Sequence, residues 1–330
     1  MKKFSTIMFF VLLIGILAGC AQAEPAPAEK PMHVAMIFNT TIKDGGYAQL
    51  GYEALMALKE KYGIEVSYQE SVTDATLKDV LRSYAADGYD LVYAHELYFT
   101  DGVNEVAPEF PDVKFGVTGY AANSPNIVAM DATNWEGIYL AGVVAGMMTE
   151  TNKIAMVTVS ASPVAKKMVN AMYMGAITHN PDVEILHLFT GSFDDVVKAK
   201  EMATAAIKDG ADIVYANCGI GTVGAIEAAK ENNTLAIGSS VDRGPLAPEL
   251  VLTSNIMDSG KYITLVVEGM MNGTIEFGKV YVLGVADGVE YLAPYNDKVP
   301  QEVKDAVDAA IKDLADKKVP EPDSEKYMWE

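Results

Sequence analysis

The chain repeats itself. Val34-Ala35-Met36-Ile37 is matched by Ile154-Ala155-Met156-Val157, and Asp87-Gly88-Tyr89-Asp90-Leu91-Val92-Tyr93-Ala94 by Asp209-Gly210-Ala211-Asp212-Ile213-Val214-Tyr215-Ala216, at offsets of 120 and 122 residues. Between these anchors, Gly63-Ile64-Glu65-Val66 corresponds to Asp182-Val183-Glu184-Ile185, and Lys114-Phe115-Gly116-Val117 to Leu235-Ala236-Ile237-Gly238. Any two α/β domains share Asp-Gly turns before buried strands, but four matches in order at one offset make coincidence a poor account. From His33 to about Ser240, short β-rich runs alternate with amphipathic helical stretches, the pattern of parallel sheets covered by helices. Each half is therefore expected to be an α/β, doubly wound parallel-sheet domain. The second copy should open near Asn134, with a helix running to Met148.

The chain continues after the second copy. Val251-Leu252-Thr253 reads as a strand, Gly260 to Met271 as a helix, Val280 to Val285 as a strand and Gln301 to Lys317 as an amphipathic helix. Two extra strand-helix units suggest that the chain returns to the first domain and crosses again. The expected organisation is residues 32–132 plus about 246–276 for an N-terminal lobe, and 133–245 plus about 277–330 for a C-terminal lobe. Several crossings make a hinge, and a hinge between two sheets makes a cleft. Ligands of open parallel sheets bind beyond the carboxyl ends of the strands, so the cleft is the place to look for a small molecule.

Ahead of the repeat, Lys2 and Lys3 precede an almost wholly apolar stretch, Ile7 to Gly19, too short for a stable bilayer span and ending in small residues. Residues 1–19 read as an export signal. Leu17-Ala18-Gly19-Cys20 resembles the lipobox of bacterial lipoproteins, which implies lipidation of Cys20 and cleavage before it. Residues 20–31, rich in Ala, Pro and Glu, read as a flexible tether. A lipid, a tether and a globular body place the protein at the outer face of a membrane, at the cell surface or in a periplasm. Half the residues are hydrophobic, which excludes disorder, and 45 acidic against 25 basic side chains give a formal charge of −20. Nucleic-acid binding needs a basic footprint, so that class is excluded as well. With Cys20 lipidated, Cys218 has no partner, and its place after Ile213-Val214-Tyr215-Ala216 marks it as a buried free thiol.

Polar and aromatic residues just after strand ends are the candidates for contact with a ligand. They are Asn39, Asp44, Tyr47, Glu96, Tyr98 and Asp101 in the first half, and Phe193, Asp194, Asn217, Gly219 and Asp242 in the second. Gly219-Ile220-Gly221-Thr222-Val223-Gly224, with Asp242 eighteen residues further on, meets the dinucleotide-binding fingerprint. It opens the third strand-helix unit of its domain rather than the first, and an exported protein has little access to nicotinamide cofactors. The glycines are better explained as allowing close backbone approach to a ligand. His33, His95, His179 and His187 lack zinc-ligand spacing, and no nucleophile motif accompanies the His95-Glu96 pair. No cofactor, metal site or catalytic residue is expected. Met147, Met148, Met270 and Met271 fall at core-like helical spacing.

Taken together the chain resembles the basic membrane protein family of ABC-transporter substrate-binding lipoproteins, which includes a purine nucleoside receptor and purine-base-binding proteins. The resemblance is carried, over nearly the whole mature chain, by Asp44-Gly45-Gly46-Tyr47, Trp135-Glu136-Gly137-Ile138-Tyr139-Leu140-Ala141-Gly142, Thr151-Asn152-Lys153-Ile154, Gly191-Ser192-Phe193-Asp194-Asp195, Gly210-Ala211-Asp212, Ile237-Gly238 with Asp242, and Leu252-Thr253-Ser254. It implies the type I periplasmic-binding-protein fold, a purine nucleoside or base as ligand, an ABC permease as partner, and no catalysis. It places Tyr47 and Phe193 where relatives have stacking aromatics, Asp242 where nucleoside-binding relatives have a carboxylate for ribose hydroxyls, and Trp135 with the ligand-binding residues. Two departures leave nucleoside against free base open. Asp44-Gly45-Gly46-Tyr47-Ala48 lacks the asparagine of the nucleoside receptors, and Met257 stands where they have a lysine. A sensor or other surface receptor on the same fold, binding another small polar ligand, is the alternative.

Overall fold

The structure is a computed structural model that describes residues 30–329. The expected signal peptide, Cys20 and nearly all of the tether lie outside the described residues. The first repeat contains strands β1 (His33–Ile37), β2 (Glu65–Gln69), β3 (Leu91–Ala94), β4 (Lys114–Thr118) and β5 (Ile127–Ala132), with helices α1 (Tyr47–Tyr62), α2 (Asp74–Ala86) and α3 (Thr100–Val106). The second has α4 (Glu136–Met148), β6 (Lys153–Thr158), α5 (Pro163–Ile177), β7 (Glu184–Phe189), α6 (Val196–Lys208), β8 (Ile213–Asn217), α7 (Thr222–Glu231), β9 (Leu235–Ser240) and β10 (Val251–Met257). The chain ends with α8 (Gly260–Asn272), β11 (Lys279–Leu283), β12 (Glu290–Leu292) and α9 (Gln301–Ala315).

Two six-stranded sheets result, ordered β11-β5-β4-β3-β1-β2 and β12-β10-β9-β8-β6-β7. The orders correspond strand for strand, as the sequence repeat requires. Every pairing is parallel except that of β12 with β10. Central strands such as β3, and β8 up to Ala216, are buried because helices cover both faces, which is why they read as unbroken apolar runs.

The helices form where apolar residues recur at three- and four-residue spacing. In α2, Leu77, Leu81 and Ala85 make one buried stripe, and Thr73 and Thr76 cap its start reciprocally. Leu81 is wholly buried, so Leu81→Ala would cost about 2–5 kcal/mol. Val303, Val307, Ala310 and Leu314 of α9 lie in the core of the second lobe, which also contains α4. No helix among the described residues is long and apolar enough to cross a membrane.

The lobe boundaries differ from those expected. Strand β10 pairs with β9 in the second sheet, so residues 251–257 belong to the second lobe, not the first. Helix α8 shares the first lobe's core with α1, and β11 pairs with β5, so residues 279–283 belong to the first lobe, not the second. The physical reason is a fifth strand in each repeat. β5 occupies the edge of β4 just as β10 occupies the edge of β9, and a four-strand count leaves β10 without its counterpart.

The chain therefore crosses between lobes three times, after β5, after β10 and after β11. The crossings are tied to one another: Thr133 N–H donates to the Leu283 carbonyl (2.9 Å), and Asp258 N–H to the Val289 carbonyl (2.8 Å). Glu290 stands at their centre, 1% exposed. Its carboxylate accepts from Gly137 N–H, in the first turn of α4, and from the Thr133 hydroxyl (3.2 Å). Burial raises its pKa from 4.5 to about 7, against those two hydrogen bonds. Glu136, beside it, accepts from Val285 N–H at 2.7 Å.

A folded-state pKa raised above the unfolded value means that Glu290 contributes stability below about pH 4.5 that is lost as pH rises to about 7. His95 and His187 act oppositely. Burial lowers them to about 3 and about 4, so they favour the folded state progressively less as pH falls below 6.5. Comparing Glu290→Gln with the wild type cancels the histidines. Denaturant titrations from pH 5 to 8 should show the wild type losing stability relative to the variant, by about 1–3 kcal/mol over the interval. Parallel pH profiles would show that Glu290 does not titrate there.

Candidate functional site

Between the lobes lie two adjoining cavities of about 210 and 150 Å³ that share Tyr47 and Met257. The larger is lined also by Glu96, Leu97, Thr118, Asp131 and Tyr262; the smaller by Asp44, Gly219, Ser240 and Arg243. Glu96, Thr118 and Asp131 stand at the carboxyl ends of β3, β4 and β5, Gly219 and Ser240 at those of β8 and β9, so each sheet contributes the edge that the fold predicts.

Tyr47 is placed by two contacts. It is the first residue of α1, and the carboxylate of Asp44 accepts from Gly46 N–H (2.9 Å), Ala48 N–H (3.1 Å) and Gln49 N–H (3.1 Å), satisfying donors that the helix start would leave open. Asp44 is thus chiefly a helix cap, with three of roughly four acceptor positions occupied. The Tyr47 ring stacks on His95, centroids 4.5 Å apart and planes 22° from parallel. His95 Nε2 lies 3.3 Å from the Tyr47 carbonyl oxygen, and since that oxygen can only accept, Nε2 carries the proton. The imidazole is buried and neutral, its pKa lowered to about 3. His95 and Glu96 are therefore neighbours in sequence with separate duties, one holding Tyr47 and the other facing the cavity.

The acids of the larger cavity are poorly solvated. Burial raises the pKa of Glu96, opposed by hydrogen bonds from backbone N–H groups, including Leu97 N–H at 2.9 Å. Burial also raises that of Asp131, whose Oδ1 accepts from Ala132 N–H at 2.9 Å. Among the described residues neither carboxylate has a Lys or Arg within ion-pairing distance. Both suit a ligand that donates hydrogen bonds.

On the opposite wall, Arg243 has a half-buried guanidinium whose pKa burial lowers, and its Nε is buried without a partner. Its backbone N–H donates to Ser254 Oγ at 2.9 Å. Gly238 makes room for its stem: a Cβ there would stand 2.6 Å from Arg243 Cβ and 2.8 Å from Cγ. Ser240, also in this wall, has a left-handed backbone with φ of 67°. Such strain in a non-glycine residue collects at binding sites.

Several expected residues line neither cavity. Trp135 is 6% exposed and belongs to the second lobe's core, because it immediately precedes α4, whose next ten residues from Gly137 are all buried. Tyr98 is 72% exposed, Asn39 is exposed, and Asp101 accepts from the Tyr120 hydroxyl at 3.3 Å. Asp194 pairs with the Ser192 hydroxyl, and Asp242 is exposed with Oδ1 accepting from Gly244 N–H at 2.9 Å. Asn217 Nδ2 is 3.9 Å from Met168 Sδ. Phe193, 64% exposed, stands at the rim beside Gly219, where φ is 61° and a Cβ would meet the Phe193 carbonyl oxygen at 2.6 Å. Of the fingerprint glycines only Gly219 reaches the cleft. Gly224 lies against the Val196 carbonyl and serves the packing of α7 on α6.

Arg243, Asp131, Thr118 and Tyr262 are among the lining residues that sequence reading missed. Asp131 ends a strand that was not recognised, and Arg243 adjoins the Asp242 that drew attention instead. Among the described residues no cluster of His, Cys, Asp or Glu could hold a metal ion. Cys218 is buried, and burial raises its thiol pKa.

Comparison with known proteins agrees with this architecture. The transcriptional activator protein med of Bacillus subtilis is 27% identical over 308 residues, covering 93% of this chain and 95% of that protein. A purine-binding protein of Brucella abortus is 27% identical over 297 residues, 89% of this chain and 83% of the relative. An ABC transporter solute-binding protein from Conexibacter woesei superposes with a TM-score of 0.77 at 27% identity, covering 89% of this chain and 99% of the other. Residues 32–323 match the sequence-family model described as ABC transporter substrate-binding protein, PnrA-like. This chain, with its paired parallel sheets and interlobe cleft, therefore belongs to the PnrA-like family of ABC-transporter substrate-binding proteins, which are binding proteins and not enzymes.

Proposed function

We propose that the protein captures a purine nucleoside or purine base between its lobes and delivers it to an ABC permease, held at the outer face of the membrane by a lipid on Cys20. The observation that carries this reading is the makeup of the cleft: an ordered aromatic, Tyr47, lying between half-buried acids on one side and a half-buried arginine on the other. A purine is apolar on its faces and alternates donors and acceptors around its edge, so it matches an aromatic floor with charged groups at its margins. The likeness to a purine-binding protein points the same way. Closure of the lobes about the three crossings would bring Phe193 from the rim onto the second face of the ring. Ligand would favour the closed form because only that form contacts it from both sides.

Asp242 is exposed and has one oxygen uncommitted, so it is available to the ribose of a nucleoside on closure. A sensing role on the same fold is the second reading, favoured by the likeness to a transcriptional activator. Uptake of labelled purine by cells with and without the gene separates the two, because a sensor lost leaves uptake intact.

The binding test is a thermal-shift screen of the protein against nucleobases, nucleosides, sugars and amino acids. A ligand at a hundred times its dissociation constant adds about 2.7 kcal/mol, a shift of a few degrees. Stabilisation by a nucleoside but not its base would assign Asp242 to ribose, and silence toward every purine would sink the ligand assignment. Tyr47→Ala should weaken binding about tenfold or more, measured where melting curves show the free variant folded, since it also loses the packing of the ring on His95. Asp44→Ala should destabilise the free protein by about 0.5–2 kcal/mol through loss of the cap, a change that a purely ligand-contacting residue would not produce.

A further inference from the structure

The purine reading leaves open which edge of the ring faces which wall, and Arg243 decides it. The arginine lines the smaller cavity, and no carboxylate among the described residues pairs with it. Its stem is seated in the gap left by Gly238, and its backbone is fixed to Ser254, so the head group has little freedom to seek an acid elsewhere. A guanidinium carries five donors and no acceptor, and the one that is buried here, Nε, has no acceptor, which is costly. The opposite pattern holds across the shared Tyr47, where Glu96 and Asp131 offer acceptors and, among the described residues, no cation stands at ion-pairing distance; Lys167, whose field reaches Asp131, is paired with Glu321. The cleft is thus polarised, donor on one wall and acceptor on the other.

We infer that Arg243 reads the O6 and N7 acceptors of a 6-oxopurine, and that the cleft discriminates hypoxanthine- and guanine-type ligands from adenine-type ones. This inference rests on the purine reading and adds the class of purine. A 6-oxopurine nucleoside presents two acceptors, O6 and N7, to the arginine fork, the geometry by which arginine singles out guanine in nucleic acids. Next to them it presents N1–H, and in guanine an amino group at C2 also, as donors for a carboxylate. A 6-aminopurine inverts both: its N6 amino group would point donors at the guanidinium, and its bare N1 would leave the carboxylate unpaired. Sites built on hydrogen bonds reject the mismatched partner because their own buried groups are stranded.

The test uses two pairs that differ only at this edge, inosine with adenosine and hypoxanthine with adenine, titrated calorimetrically into the wild type and into Arg243→Met. In the wild type the oxo member of a pair should bind at least about tenfold more tightly than the amino member. In Arg243→Met the ratio should fall by a similar factor while adenine-type binding persists. Arg243→Lys, which keeps the charge and loses the fork, should fall between them, and melting curves of all three proteins establish that each is folded. Equal affinities for the two members in the wild type, or an unchanged ratio in Arg243→Met, would overturn the assignment of Arg243 while leaving the purine reading intact. No binding of any of the four would overturn both.

Discussion

All six strands of the first sheet run in one direction, and all but β12 do so in the second. That constraint governs everything else here. A parallel sheet delivers every strand end to a single edge, so the loops after β1, β3, β4 and β5 are neighbours, and so are those after β8, β9 and β10. The same direction forces each connection to return over a face of the sheet as a helix, which buries the strands on both sides and leaves only the edges for binding. Three crossings bound to one another then hold the two edges in apposition. The cleft is a product of strand direction and connectivity.

The side chains that line the cleft divide it by charge. A protein with a formal charge of −20 places inside the cleft an arginine that ion-pairs with no acid among the described residues, and faces it with acids that make no direct ion pair there. Some surface acids on this molecule pair with lysines or arginines, as in Arg82 with Glu109, Lys78 with Glu105 and Lys318 with Asp313. Inside the cleft the same pairing is withheld. Acids held only by backbone N–H groups on one wall and an arginine with a partnerless Nε on the other leave the empty cleft with hydrogen-bonding capacity to spare.

The repeat made the fold legible, because a duplicated strand-helix pattern at nearly constant offset can arise in few ways. It failed at β5, where a six-residue strand follows the turn at Ser124-Pro125 and carries only four buried positions before Asp131 and Ala132. Missing it displaced both lobe boundaries and hid Asp131. The site was legible where a residue's position determines its role, as for Tyr47 at the start of α1, and obscure where partners determine it. Nothing in the local sequence says that Asp44 satisfies three backbone amides, that Trp135 turns into the core, or that Arg243 ion-pairs with no acid among the described residues. These are facts about distant residues, such as Gly238 and Ser254, which only the folded chain brings together.

The pairing of β11 with β5 joins Lys279 to Val128 across some 150 residues of intervening chain. The first lobe's sheet therefore remains one strand short until the second lobe has been made almost entire, and its helix α8 arrives equally late. A chain emerging from its N-terminus cannot lock the first lobe early, and the long-range closure that finishes it is intrinsically slow. For a protein of a family that works outside the cytoplasm, the consequence is a delay in becoming compact, imposed by topology alone.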